Sequence, residues 1–322
     1  MTRHFLVDTD LTPAEQAQVL DLAVAMKAHP YHWQPYAGEG TGRKTVAVIF
    51  DKTSTRTRVS FAAGVADMGG VPLIIGGGES QLGHKESVAD TARVLERMVA
   101  TIVWRTFAQS GLEEMAANSR VPVINSLSDD YHPCQLLADL LTIREHKGTL
   151  AGLRLAYLGD AANNMANSYL LAGATAGMHV RVAGPAGYLP NDDVVAAARA
   201  RADQTGGSVL VTTEPGEALD GADVVATDTW ISMGQEAEKE ERLATFRDYG
   251  VDAAAMARAD ADAIVLHCLP AYRGYEIASE VIDGPQSVVW DEAENRLHAQ
   301  KALMCWLMQE SGLAPRVQAP GA

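Results

Sequence analysis

The chain has 322 residues, 47% hydrophobic and 21% charged, with a net charge of −15 and three cysteines. That size and balance suit two α/β domains of ordinary dimensions and exclude a broad nucleic-acid surface, which demands clustered Lys and Arg. With that negative balance any anion site must be local, and no apolar run approaches the about 18 residues of a membrane span, so the expected setting is soluble.

The N-terminal MTRHFLVDTDL carries acids where a secretory signal has an apolar core. Cys134, Cys268 and Cys305 are too widely spaced for a disulfide framework or a paired-cysteine zinc site, and a reducing cytoplasm is expected. Thr12-Pro13-Ala14-Glu15 opens the first helix: Thr12 caps it, Pro13 suits its first turn, and Glu15 completes a capping box. Apolar spacing carries that helix to about Ala28. Then come short apolar runs, TVAVIF, VPLII, TIVWRT and VPVIN, with helices beginning near Ser54, Ser87, Leu112 and Pro133. The helix Gln135 to Lys147 ends at Gly148 and bridges to a second series: LRLAYLGD, HVRVAG, SVLVTT, DVVATD, AIVLHC and SVVWDE. Strands alternating with helices predict α/β architecture with two doubly wound parallel-sheet domains. The expected domains are 1–147 and 148–297, with a last helix at about 298–314 packing back on the first. Ligands of such sheets sit beyond the carboxyl ends of the strands.

TVAVIF reads as a strand and SFAAGVADMGG as a helix, so DKTSTRTR is the turn between them. Backbone N–H groups at a helix start attract anions. Ser54, Thr55 and Thr57 add hydroxyls, and Arg56 or Arg58 adds a guanidinium. A lone arginine there reads as a solvated turn; the hydroxyl cluster at a strand's carboxyl end turns the reading to phosphate. The turn is not a Walker A loop, because G-x-x-x-x-G-K-[ST] is absent. Arg105 closes an apolar strand, where it is either snorkelling or functional. His132 starts the next helix at the same edge. Cys134, within that turn, reads as a small buried thiol.

In the second half, GDAANNMANS follows a strand where a dinucleotide fingerprint would lie, but G-x-G-x-x-G is missing. Asn163 and Asn164 offer amides there instead. Asp228 and Cys268 each follow a strand, and a carboxylate with a thiol suits a cationic amine, although Cys268 alone reads as a buried thiol.

The set Ser54-Thr55-Arg56-Thr57-Arg58, His132-Pro133-Cys134-Gln135 and His267-Cys268-Leu269-Pro270 resembles the carbamoyltransferases of the aspartate/ornithine family. Asp228 with Ser232-Met233-Gly234 is similar to its ornithine-directed, anabolic bacterial branch. The resemblance runs from about Arg3 to Gln309. It implies a carbamoyl-phosphate domain followed by an ornithine domain, a homotrimer with shared active sites, and transfer of a carbamoyl group to the δ-amine of ornithine in arginine biosynthesis. It implies that Ser54, Thr55, Arg56 and Thr57 hold the phosphate and that Arg105, His132 and Gln135 hold the carbamoyl group, with Pro133 and Cys134 in the same turn. Gln81, in GGGESQLGHKES, would reach in from a neighbouring subunit. Asn164, Asp228, Ser232 and Met233 would hold ornithine, and Cys268, Leu269 and Arg296 would complete the site. Arg105, His132, Asp228 and Cys268 are the expected catalytic residues. No metal or organic cofactor is implied, and neither nucleic acid nor membrane is an expected partner.

Two positions depart from the family pattern: Tyr272 stands where His is common, and Ala62 where Glu is common. The segment SMGQEAEKEERLATFRDYG, charged and poor in apolar residues, is expected to be a lid that orders with the amino acid. The rival readings are a sister carbamoyltransferase for putrescine or another amino acid, a non-catalytic phosphate-metabolite sensor, and a dehydrogenase, which the missing glycine fingerprint opposes.

Overall fold

The computed structural model describes residues 2–76, 86–231 and 236–317. The chain divides into two compact units, Met1–Ala138 with Asn295–Ala322, and Asp139–Glu294. Both divisions fall inside helices.

The first unit opens with α1 (Pro13–Ala28), where the capping box is formed: Thr12 Oγ1 accepts from the Glu15 N–H, and Glu15 Oε2 accepts from the Thr12 N–H. There follow β1 (Thr45–Phe50), α2 (Thr55–Asp67), β2 (Val71–Gly76), α3 (Val88–Leu95), β3 (Thr101–Arg105), α4 (Gln109–Ala117), β4 (Val123–Leu127) and the start of α5 (Pro133–Lys147). Ser54 and Ser87 cap α2 and α3 through their hydroxyls. The helix expected at Leu112 instead starts at Gln109, where Ala108 makes no side-chain cap and the sequence therefore carries no start signal. The fourth strand begins two positions inside VPVIN and runs on to Leu127.

All pairings in this sheet are parallel, in the order β2-β1-β3-β4. The chain goes outward from β1 to β2 and then returns to the other side of β1 for β3. Strand order therefore reverses between β1 and β3, where their last residues, Phe50 and Arg105, are register partners. Such a reversal opens a crevice at the carboxyl edge. Apolar burial fixes the register: Val46 to Phe50 are at most 2% exposed.

The second unit takes the rest of α5, which stops at Gly148 with φ 77° and its N–H bonded to Arg144 O, a left-handed stop that suits glycine. It continues with β5 (Arg154–Leu158), α6 (Asn164–Thr175), β6 (His179–Ala183), α7 (Asp192–Thr205), β7 (Ser208–Thr212), α8 (Pro215–Leu219), β8 (Val224–Thr227), α9 (Lys239–Thr245), α10 (Ala253–Met256), β9 (Ile264–His267), α11 (Ser279–Ile282) and the start of α12 (Val289–Glu310), whose remainder belongs to the first unit. The parallel order is β7-β6-β5-β8-β9, so the reversal here lies between β5 and β8. Leu158 pairs with Thr227, and Thr227 with His267, which puts Asp228 and Cys268 side by side one residue past the edge.

SVVWDE is not a strand. Ser287 makes one isolated bridge to Val265, and Val289 then begins a helix of 22 residues with Asp291 and Glu292 in its first turn. A short apolar run cannot be told from a buried helix start by periodicity, and acids suit a helix N-terminus. The last helix thus runs over 289–310 rather than about 298–314. Among the described residues, no helix is long and apolar enough to cross a membrane.

Candidate active site

In the first unit, the turn after β1 is fixed at both ends. Asp51 Oδ2 accepts from Trp104 Nε1 at 2.8 Å, tying the turn to β3, and Ser54 Oγ accepts from the Thr57 N–H at 3.3 Å. Thr57 is fully buried, while Ser54 and Arg56 are half-buried and Thr55 is exposed. Arg58 is exposed and lies over the Phe50 ring at 5.3 Å, which leaves Arg56 as the guanidinium of this turn that serves the buried interior.

Arg296 of α12 enters the same interior, 3% exposed. Its two terminal nitrogens donate to Gln135 Oε1 at 2.7 Å and to Thr57 Oγ1 at 2.6 Å. One planar fork thereby joins the starts of α2 and α5. Arg105 and His132 are buried beside it. Burial, and then the charges of Arg296, Arg105 and Arg56, push the His132 pKa well below its ordinary value. His132 is therefore a neutral imidazole at pH 7 with three guanidiniums within electrostatic reach. Pro133 and Cys134 are buried in the same turn. The Cys134 thiol donates to Asn125 O at 3.3 Å, and burial pushes its pKa up to about 12. That side chain is packing rather than a nucleophile. Like charges gathered about a buried neutral imidazole are chemically suited to an anion.

The second unit builds the opposite kind of site. Asp228 Oδ1 accepts from the Cys268 thiol at 3.2 Å and from the Thr229 N–H at 2.7 Å. Burial, with a smaller push from Glu276, raises the Asp228 pKa, although His267 and the two hydrogen bonds oppose it. Burial and then the Asp228 charge raise the Cys268 pKa well above the ordinary thiol value, so Cys268 is a protonated donor. Asn164 begins α6 at the end of β5 and is half-buried. Leu269 is half-buried with φ 57°, a conformation costly for a non-glycine residue. Its N–H is held by His267 Nδ1 at 2.9 Å. Since Nδ1 accepts, the proton of His267 is on Nε2, which faces Glu276 Oε1 at 3.2 Å. Glu276 Oε1 also accepts from the Tyr272 N–H, so one buried carboxylate holds both sides of the His267–Tyr272 turn. Glu292 Oε2 accepts from the His267 N–H at 2.8 Å.

Asp228, His267 and Cys268 bring one donor atom each within 4.8 Å of one another. Both ring nitrogens of His267 are nevertheless engaged, and Cys268 resists ionisation. The trio is thus a poor match to a metal, which needs a lone pair on imidazole and a thiolate.

Gln81, Lys85, Ser232 and Met233 lie outside the described residues. The described part of the expected lid differs from its expectation. Arg242 is 3% exposed, ion-paired with Asp160, bonded to Trp230 O, and stacked between Tyr188 and Phe246 at 5.2 and 5.1 Å. Phe246 is fully buried. The charge count of that stretch hid an arginine that works inside an aromatic box. Tyr272 is 48% exposed and stacks on Tyr275, and Ala62 is half-buried on α2.

Sequence reasoning passed over Tyr157, Asp139, Tyr169, Glu276 and Glu292, all buried in the second unit. Each is a single polar residue in an apolar run or beyond a strand, and their only sequence signal is polarity where burial is expected.

Two family descriptions match the chain: aspartate/ornithine carbamoyltransferase, carbamoyl-P binding domain, over residues 3–145, and the Asp/Orn binding domain of the same family over 151–307. The chain is 77% identical to an ornithine carbamoyltransferase of Renibacterium salmoninarum, over 97% of this chain and 100% of that one. It is 57% identical to that of Mycolicibacterium gilvum, with the same coverage. Among solved structures, the ornithine carbamoyltransferase from Pyrococcus furiosus matches with a TM-score of 0.89 at 45% identity, covering 94% of this chain and 96% of that one. The anabolic ornithine carbamoyltransferase from Campylobacter jejuni matches with a TM-score of 0.88 at 39% identity, covering 96% and 99%.

Arg242→Met tests the buried clamp. It removes one partner of a buried pair and leaves Asp160 charged in the interior, which costs about 3–5 kcal/mol. Urea unfolding should show a loss of that order. A change below about 0.5 kcal/mol, normal for an exposed pair, would show that the clamp contributes nothing.

Proposed function

The chain belongs to the aspartate/ornithine carbamoyltransferase family, and from that membership and its two sets of site residues we propose that it transfers the carbamoyl group of carbamoyl phosphate to the δ-amine of L-ornithine, giving L-citrulline and phosphate, as a step of arginine biosynthesis. The observation that carries the reading is the complementary charge of the two sets: three guanidiniums about a buried neutral histidine in the first unit, and Asp228 with Cys268 in the second. The first unit is the carbamoyl-phosphate domain and the second the ornithine domain.

The dianionic phosphate is held by Arg56, by Ser54, Thr55 and Thr57, and by the leading N–H groups of α2. Arg296 does not need to touch the phosphate to matter. Its donation occupies a lone pair of the Thr57 hydroxyl, which leaves the O–H proton to be given away. Thr57, Arg105 and neutral His132 donate to the carbamoyl oxygen as negative charge develops there, the work of an oxyanion hole. Arg296 takes the oxygen of Gln135, so this side chain presents amide N–H donors. Pro133 and Cys134 shape that turn, and Leu269 closes the amine side.

The amine arrives as an ammonium, with a pKa near 10.4 in the lysine analogue, and attacks only after losing a proton. Cys268, already protonated, cannot take it. Asp228 is the acceptor, and burial strengthens it as a base. Nitrogen then bonds to the carbonyl carbon, the C–O bond to phosphate breaks, and phosphate leaves with its electron pair and takes the second proton of that nitrogen, giving neutral citrulline and hydrogen phosphate. Asn164, Ser232 and Met233 hold the amino-acid end. The remaining acceleration comes from holding both substrates at once, where effective molarities of about 10⁵ M or more are accessible. The assembly is a cytoplasmic homotrimer in which Gln81 of one subunit completes the neighbour's site. The decisive assay offers carbamoyl phosphate with ornithine, putrescine and lysine. Citrulline formation far above the other products supports the reading, and equal or better use of putrescine overturns it.

Arg56→Ala should weaken carbamoyl-phosphate binding by about tenfold or more, because each charge-assisted bond contributes about 1.5–3 kcal/mol. Calorimetric titration reads this directly, and unchanged affinity removes Arg56 from the site.

The pH dependence follows from Asp228. Its native pKa is raised, so ornithine capture is lost as pH falls through a value above the ordinary aspartate range. The acid limb of kcat/KM, which reports the free enzyme, should therefore lie above about 3.9. Asp228→Asn should abolish that limb and lower kcat/KM by about 10²–10⁴. A limb that persists unchanged in the variant assigns it to another group.

Shared sites predict complementation. Gln81→Ala and Arg105→Ala, each nearly inactive alone, should regain about a quarter of wild-type activity when subunits are mixed equally, by the symmetry of a closed ring. Subunits that exchange yet stay inactive would show that Gln81 serves its own chain.

A further inference from the structure

We infer that Tyr157 is a positioning residue for the amino-acid end of the substrate: through Asn163 its hydroxyl fixes the first turn of α6, and so the angle at which Asn164 and the leading N–H groups of that helix meet a carboxylate. The inference rests on the ornithine reading and names a residue that reading does not use.

Tyr157 lies on β5, the strand at which the order of the second sheet reverses, and is fully buried. A phenylalanine would fill the same space, so the hydroxyl needs a reason of its own. It accepts a hydrogen bond from Asn163 Nδ2 at 2.9 Å and donates a longer one to Asp160 O at 3.4 Å. Asn163 is the N-cap of α6, and its Oδ1 accepts from the Ala166 N–H at 2.9 Å. Both ends of that amide are therefore committed: one to the helix, the other to the strand. The amide is a strut between β5 and the first turn of α6. The neighbouring amide, Asn164, is the one that the strut aims.

The strut is braced from below. The Tyr157 ring packs on Tyr169 of the same helix at 5.5 Å, and Tyr169 donates to Asp139 Oδ2 at 2.6 Å. Asp160, whose carbonyl Tyr157 holds, has its carboxylate occupied by Arg242 and the Ala162 N–H. The turn 159–163 is thus tied at its carbonyl, its carboxylate and its cap. The Asp228 charge repels a carboxylate, and the Cys268 thiol already donates to Asp228, so the acid end of an α-amino acid must be met by donors elsewhere. The start of α6, a helix of 12 residues, supplies them at the edge of the strand next to Asp228. A shift of this turn by a fraction of an ångström misaligns that end while leaving phosphate recognition in the other unit untouched.

The test is steady-state kinetics on Tyr157→Phe, with L-norvaline as a probe that keeps the α-amino-acid end and lacks the side-chain amine, and inorganic phosphate as a probe of the other set. The KM for ornithine and the inhibition constant for norvaline should both rise about tenfold, the loss expected of one buried hydrogen bond. kcat should stay within about twofold, and inhibition by phosphate should not change. Asn163→Ser keeps a capping oxygen and removes the amide donor, so it should give the same rise even if Tyr157→Phe folds poorly. The double variant should be no worse than either single one, because both cut the same strut. Unchanged ornithine and norvaline constants overturn the inference. So does a matching loss of phosphate affinity, which would mean general loosening, and so do effects that simply add in the double variant. Wild-type protein that forms no citrulline would instead sink the ornithine reading itself, so the two failures are distinguishable.

Discussion

Buried charge of one sign is the constraint on which the rest of this structure depends. Among the described residues, the first unit buries Arg105, Arg296 and Lys301 against a single acid, Asp8, with Lys301 paired to the half-buried Asp67. The second unit buries Asp139, Asp160, Asp228, Glu276 and Glu292 against one arginine, Arg242. Charge in a low-dielectric interior needs opposite charge or strong hydrogen bonds. Arg242 is matched by Asp160 within its own unit. Arg105 closes β3 and Asp228 follows β8, at carboxyl edges of the kind where such sheets take ligands, and Arg296 reaches the helix starts beside the first of them. An acyl phosphate and an ammonium are the groups whose charges would complement these two sets.

That arrangement demands rigid support, because like charges push one another apart. The support comes from residues that need not touch a substrate. Arg296 spans Thr57 and Gln135, joining two helix starts with one planar group. Glu276 and His267 hold Leu269 in a conformation that its side chain disfavours. Tyr157 and Asn163 brace α6 against β5. In each case a turn or helix start beside a strand end is held by a buried polar side chain. The sheets contribute the geometry, since their parallel register carries Phe50 with Arg105 and Thr227 with His267 to the same edge.

Much of this was legible in the sequence. TVAVIF and the DKTSTRTR turn gave both a strand boundary and a local chemistry, because an apolar run that stops at hydroxyls and arginines has one sensible place in an α/β sheet. Thr12 with Glu15, and Gly148, announced helix ends through capping physics. SVVWDE misled because three apolar residues carry no period, and the acids after them were a helix signal that was not weighed. α4 lacked a cap to read. Arg242 was hidden for a different reason: sequence shows that an arginine is charged, and only the fold shows that Tyr188, Phe246 and Asp160 surround it. Tyr157, Glu276 and Glu292 were unreadable on the same ground, since a lone polar residue in an apolar setting becomes informative only when its hydrogen-bond partner is known.

The protonation states assign the chemical labour more sharply than proximity does. Among the groups near the two edges, His132, Cys134, Asp228 and Cys268 have protonation equilibria displaced from their ordinary values. Burial and three guanidiniums keep His132 neutral, burial keeps Cys134 a thiol, and burial with Asp228 keeps Cys268 a thiol. Three of the four are thereby held in their uncharged forms, and His132 and Cys268 remain as hydrogen-bond donors. Asp228 is driven the other way, toward accepting a proton, by the same desolvation. A charged histidine would add a fourth cation beside three arginines and gain nothing as an acceptor. A thiolate at Cys268 would set a second negative charge against Asp228. One physical cause, removal of water, thus leaves His132 and Cys268 as neutral donors within their own units and makes Asp228 a stronger base than an exposed aspartate.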